Sequence, residues 1–181
     1  MKRIILLSAI LILTGLKTFS QDKKITKTGT ITFEASVPSF EEVKAKNESV
    51  TCVLNTKTGE IASLVLMKGF RFKIALMEEH FNESYIESDK YPKATFEGII
   101  QGFNINIIGT SPKIFKMNGK MELHGKSKEI NTNITIRKIN DALEIIANFD
   151  VNSDDFNIEI PQILTKKVSK TVNIKTNFLL K

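Results

Sequence analysis

From Gly29 to the end of the chain, apolar and polar residues alternate with a period of two over most positions. In GTITFEA, Ile31, Phe33 and Ala35 fall on one side, and Thr30, Thr32 and Glu34 on the other. Val50, Cys52 and Leu54 share a side, and Phe70, Phe72, Ile74 and Leu76 alternate with Arg71 and Lys73. The same pattern groups Phe115, Met117, Met121 and Leu123, then Ile130, Ile134 and Ile136. It continues through Leu143, Ile145, Ala147, Phe149 and Val151, and ends with Val168, Val172, Ile174, Phe178 and Leu180. Successive side chains of a pleated strand point to opposite faces, so this pattern predicts strands with one buried face. One-sided burial of that kind belongs to antiparallel sheets.

Short polar turns separate the runs. NTKTGE (Asn55 to Glu60), HGKSKE (His124 to Glu129) and the step at Ile139 to Asp141 each read as a hairpin connection. Asn118-Gly119 has a hairpin composition, but the apolar face runs through it from Phe115 to Leu123, so Gly119 is placed inside one strand, at a bend or bulge. The parity slip between Phe96 and Ile99 suggests a bulge at Gly98. Two stretches carry helical signals. Ser39 followed by Glu42 forms a capping box that predicts a short helix from Phe40 to about Lys46. From Leu76 to about Tyr85, Met77, Phe81 and Tyr85 recur at helical spacing, and Lys90-Tyr91-Pro92 returns the chain to extended form. The expected fold is all-β: roughly eight antiparallel strands with one or two short helices, either a sandwich or a barrel. Closure into a barrel removes exposed edges, and eight strands can enclose one small ligand.

The first 20 residues stand apart. Lys2 and Arg3 precede an almost wholly apolar run from Ile4 to Leu16, and Thr18-Phe19-Ser20 supplies small residues before Gln21. This predicts a signal peptide over 1–20, cleaved to leave one domain over 21–181 that is periplasmic or secreted. The full chain has 26 Lys and Arg against 20 Asp and Glu, a net +6. Removing Lys2, Arg3 and Lys17 leaves about +3, with the lysines scattered, so nucleic acid is not an expected partner. The single Cys52 excludes an internal disulfide and reads as an inert core thiol. His80 and His124 are the only histidines and share no metal-ligand spacing, so neither a metal, a cofactor nor an enzymatic role is expected. His80 lies one step off the apolar stripe of its helix, where a hydrogen bond would hold that helix to the barrel or the following loop. Tyr85 and Tyr91 suit the mouth of a cavity, where a ring is buried and a hydroxyl stays wet.

Three stretches together carry a family resemblance: HFNESYIESDKYPKATFEG, MNGKMELHGKSKEI and DVNSDDFNIEIPQILTKKVSKTVNI. In order and composition the chain resembles the YceI-like family of bacterial periplasmic lipid-binding proteins. The resemblance implies a lipocalin-like antiparallel barrel with a long polyisoprenoid chain in its apolar interior, and no catalytic chemistry. One departure stands out. Many members have an Arg-Asp pair shortly before the His, where this chain has Met77, Glu78 and Glu79; if that Arg contacts a headgroup, the ligand differs here.

The expected ligand-contacting residues are Phe33, Phe70, Phe72, Ile74, Phe81, Tyr85, Tyr91, Phe96, Phe115, Met117, Met121, Phe149 and Ile174. The expected partners are an apolar, isoprenoid-like lipid and, transiently, a membrane. The alternative is a barrel whose interior is filled by these same residues, acting through its surface as a structural or stress-linked module.

Overall fold

The structure, a computed structural model, describes residues 22–181. The segment read as a signal peptide lies outside the described residues. Each alternating run forms a strand: β1 (Lys23–Ser36), β2 (Lys44–Asn55), β3 (Glu60–Leu66), a two-residue β4 (Arg71–Phe72), β5 (Lys93–Ile100), β6 (Lys113–Leu123), β7 (Lys126–Ile139), β8 (Ala142–Asn152) and β9 (Val168–Leu180). All pairings are antiparallel. The eight long strands run in the order β1-β9-β8-β7-β6-β5-β3-β2, and β2 pairs back onto β1, closing a barrel. β4 pairs with the start of β2, at Ala45 and Lys46, beyond the stretch of β2 that pairs with β3. The all-β antiparallel fold of about eight strands expected from the alternation is the fold observed. Of the sandwich and barrel left open by it, the chain forms the barrel that the family resemblance implies.

The same topology gives the barrel two unlike ends. At one end lie the β2–β3 hairpin, the β7–β8 turn and the 101–112 connection. There Leu54, Ile100, Ile136, Leu143 and Leu180 are almost fully buried, and Phe103 packs on Phe115 with ring centroids 6.4 Å apart. This end is filled core. At the other end lie three longer connections, 37–43, 67–92 and 153–167, beside the tight His124-Gly125 turn of β6 and β7. Both residues of that turn have positive φ, +51° and +70°, the backbone that lets a two-residue hairpin follow the strand twist.

The helical stretch after β4 is placed as expected. α1 (Ala75–His80) runs into a π-helical turn (Phe81–Tyr85), closed by Ile86 N–H donating to the Phe81 carbonyl, and Met77, Phe81 and Tyr85 face inward. Because α1 starts at Ala75, the alternation from Phe70 to Leu76 yields only two strand residues, and Leu76 is exposed.

Two expectations are corrected. No helix follows Ser39. Residues 37–40 make a turn with Ser39 at φ +72°, Ala35 N–H donates to the Val43 carbonyl, and β2 is already paired at Lys44. A helix of seven residues gains too few bonds to cover its nucleation cost, whereas pairing with β1 satisfies the same backbone groups. Nor is there a bulge at Gly98. The β3–β5 and β5–β6 registers pass through it unbroken, and Ala94, Phe96, Gly98 and Ile100 face inward while Ile99 is exposed. The inward position is simply a glycine, paired with Gly119 of β6. A Cβ on Gly119 would lie 2.5 Å from Phe96 Cζ and 2.6 Å from Gly98 Cα, so the two glycines make room for the Phe96 ring.

Candidate functional site

Above the packed end the barrel is hollow. A cavity of about 490 Å³ extends from the level of Ile61, Ile134, Ile145 and Phe178 up to the three long connections. That volume is within the range of roughly 300–1,000 Å³ that holds one small lipophilic ligand. The barrel interior is thus both core and cavity, divided along its axis.

Inward positions of the strands build the wall: Phe33 from β1, Phe96 from β5, Met117 and Met121 from β6, Ala147 and Phe149 from β8, and Ile174 from β9. Over them, the 67–92 connection brings Phe70, Phe72, Phe81 and Tyr85. Four rings gather where β1 meets this connection. Phe33 lies 5.2 Å from Phe70, 5.7 Å from Phe72 and 5.3 Å from Phe81, stacked on the last and edge-on to the others. Such pairs add about 0.5–1.5 kcal/mol each beyond their burial, enough to hold a short α1 against the barrel. Phe40, from the turn that replaces the expected helix, closes one side, and Phe156, Ile158 and Leu164 of the 153–167 connection close the other.

Ten of the thirteen residues singled out from the sequence line this cavity, and three do not. Phe115 is on the inward face but one level too deep, packed against Phe103 in the filled end. Ile74 caps the start of α1, where its carbonyl accepts from the Met77 and Glu78 amides. The Tyr91 ring stands edge-on to His124, 4.3 Å between centroids, outside the wall. The sequence reading passed over Ile61 and Val65 of β3, though IASLVL alternates at 61, 63 and 65. It also passed over the wall residues of the 153–167 connection, although FNIEI alternates at Phe156, Ile158 and Ile160 without forming a strand.

The histidine roles are exchanged relative to expectation. His80 is exposed at the cavity rim, and no described residue hydrogen-bonds its ring. His124, its side chain only 9% exposed, makes the bridging contacts instead. Its Nδ1 lies 3.0 Å from the Phe156 carbonyl oxygen and its Nε2 3.0 Å from Glu87 Oε2. One imidazole therefore ties the β6–β7 hairpin to both the 153–167 connection and the loop after the π-turn, with Tyr91 against its face. A carbonyl can only accept, so Nδ1 donates to Phe156, and Nε2 faces the Glu87 side chain.

The wall offers little for chemistry. Glu41, His80, Tyr85 and Lys167 are its titratable members. Among the described residues, no three His, Cys, Asp or Glu side chains gather where they could hold a metal ion. Cys52 is fully buried, and burial pushes its thiol up to about 12, so at neutral pH it is a protonated, apolar filler. What this geometry can do is enclose an apolar chain.

The comparisons agree with the architecture. The family model described as the YceI-like domain matches residues 18–180. Among solved structures, the chain is similar to a polyisoprenoid binding domain from Saccharophagus degradans, with a TM-score of 0.73 at 13% identity, covering 88% of this chain and 98% of that one. It is also similar to BcnA of Burkholderia cenocepacia, with a TM-score of 0.68 at 15% identity, covering 84% and 96%. A YceI protein of Campylobacter jejuni gives a TM-score of 0.61 at 15% identity, covering 80% and 89%. At these identities the likeness is one of fold. No curated protein matches the chain.

Proposed function

The chain belongs to the YceI-like domain family, and on that premise we propose that it is an exported lipid-binding protein, holding one long apolar, isoprenoid-like chain non-covalently in its cavity for carriage or sequestration. The observation that carries this reading is the apolar cavity above the filled end, walled by Phe, Met and Ile from strands and connections alike. A filled-core barrel acting only through its surface would extend the Leu54–Ile100–Leu143 packing along the whole axis. The reading is further supported by the name of the Saccharophagus domain, whose fold this chain shares.

Energetics favour carriage over capture. A lipid tail in a bilayer is already among tails, so moving it into a Phe-lined barrel gains little hydrophobic free energy. Selectivity then rests on shape and on the rotameric freedom lost by ligand and wall. Four methionines, Met67, Met77, Met117 and Met121, suit a wall that must adapt to a flexible chain. Loading and unloading call for transient contact between the mouth and a membrane. Among the described residues no helix is long and apolar enough to cross one.

Organic extraction of the natively purified protein, followed by mass spectrometry, tests the reading, together with uptake of a fluorescent isoprenoid. A stoichiometric lipid in the extract, or saturable uptake by emptied protein, is the expected result. Clean extracts and no uptake would leave the surface-acting alternative.

A further inference from the structure

Three features of the cavity bear on the polarity of what enters it. The first is a hydroxyl without a partner. Ser153, just after β8, is 5% exposed and lines the cavity, and its Oγ has no hydrogen-bond partner among the described residues. Of the other wall hydroxyls, Thr176 accepts from the Ala147 amide and Ser169 bonds the Thr171 backbone, while those of Ser63, Tyr85 and Thr95 belong to residues only half-buried. A buried hydroxyl left unpaired is destabilising unless something supplies a partner.

The second feature is the charge around the mouth. The three connections carry ten carboxylates: two in 37–43, five in 67–92 and three in 153–167. Against them stand four Lys and Arg in 67–92 and two in 153–167, a net −4 for the connections themselves. Lys44, Lys128 and Lys170 of the adjoining strands pair with Glu42, Asp155 and Asp154. The rest of the described chain holds ten carboxylates and seventeen Lys and Arg, a net +7. Half of the carboxylates of a basic protein thus lie in the connections around the entrance, and the excess left after these pairings disfavours an anionic headgroup there.

The third is that the titratable wall residues, Glu41, His80, Tyr85 and Lys167, all belong to the rim connections, and no strand contributes one. An ionised group drawn inside would lose its hydration with no buried countercharge to replace it.

Taken with the proposed lipid-binding role, on which this rests, we infer that the ligand is a neutral amphiphile: one apolar chain bearing an uncharged hydroxyl or carbonyl that hydrogen-bonds Ser153 Oγ. Anionic lipids, whether carboxylates or phosphates, are disfavoured by the mouth and unserved by the wall.

Displacement of the apolar reporter N-phenylnaphthylamine by dodecanol, dodecane and dodecanoate tests this with a single chain length. The wild-type protein is expected to bind dodecanol roughly 3- to 10-fold more tightly than dodecane, the worth of one net hydrogen bond. In Ser153→Ala that preference should disappear. Dodecanoate should bind more weakly than dodecanol at low ionic strength and recover as added salt screens the mouth. Dodecanoate binding as tightly as dodecanol at low salt, or a dodecanol preference that survives Ser153→Ala, overturns the inference while leaving the lipid-binding role intact. If the reporter enters and none of the three displaces it, the inference falls. If the reporter itself fails to bind, the lipid-binding role falls with it.

Discussion

At the scale of single residues, His124 separates a structural histidine from a rim histidine. Its ring reaches the Phe156 carbonyl and Glu87, so His124→Ala leaves a carbonyl without its donor and unlatches two connections. The expected loss is about 1–3 kcal/mol in denaturant unfolding. His80→Ala removes an exposed side chain and should stay within about 0.5 kcal/mol of wild type. Equal losses in the two variants would contradict the assignment. Sequence could not make this distinction, because the partners of His124 lie 32 and 37 residues away along the chain. The amphipathic stripe beside His80 was a local signal, whereas the latch is formed only by tertiary structure. Cys52 was readable for the opposite reason: its neighbours Val50 and Leu54 already fix its face.

At the scale of elements, β5 and β6 show how a strand is built around a ring. Phe96 lies over Gly119, and the paired Gly98 leaves its Cα 2.6 Å from where a Gly119 Cβ would stand. Gly119→Ala should therefore cost about 1–3 kcal/mol through overpacking, measured by thermal or urea unfolding. Removing the ring as well, in Phe96→Ala/Gly119→Ala, should recover only part of that cost, because the Glu97 carbonyl is also within 2.4 Å. Full tolerance of Gly119→Ala would show that the strands can part there. The alternation that predicted β6 was legible because a pleat imposes it wherever one face is buried. It misled at Ile99, where an exposed isoleucine imitated an inward one; at Phe40 the misleading signal was the capping box, outcompeted by the β1–β2 pairing. Short-range signals lose to backbone pairing when the segment is shorter than a stable helix.

At the scale of the whole molecule, the division into a filled end and a hollow end was not legible, because Phe and Ile face inward in both. What decides it is the level at which each residue enters the barrel, set by register and by which connections are long. Phe115 and Phe72 compare the two halves with one chemistry. Phe115→Ala in the filled end should cost the roughly 3–5 kcal/mol of a packed phenylalanine. Phe72→Ala, at a half-buried position facing the cavity, should cost clearly less in equilibrium unfolding. Equal costs would mean that the interior is packed alike throughout. The central claim is that the hollow end holds a lipid, and Ala147 offers the most direct access to it: a small, buried residue on the wall between Ile145 and Phe149. The decisive measurement is the affinity of Ala147→Leu for a fluorescent isoprenoid, in protein whose unfolding midpoint is recorded alongside. The account predicts binding weakened about tenfold or more, equivalent to about 1.4 kcal/mol, with the midpoint unchanged. Undiminished binding, or a fold weakened by the roughly 1–3 kcal/mol of an overpacked core, would contradict it.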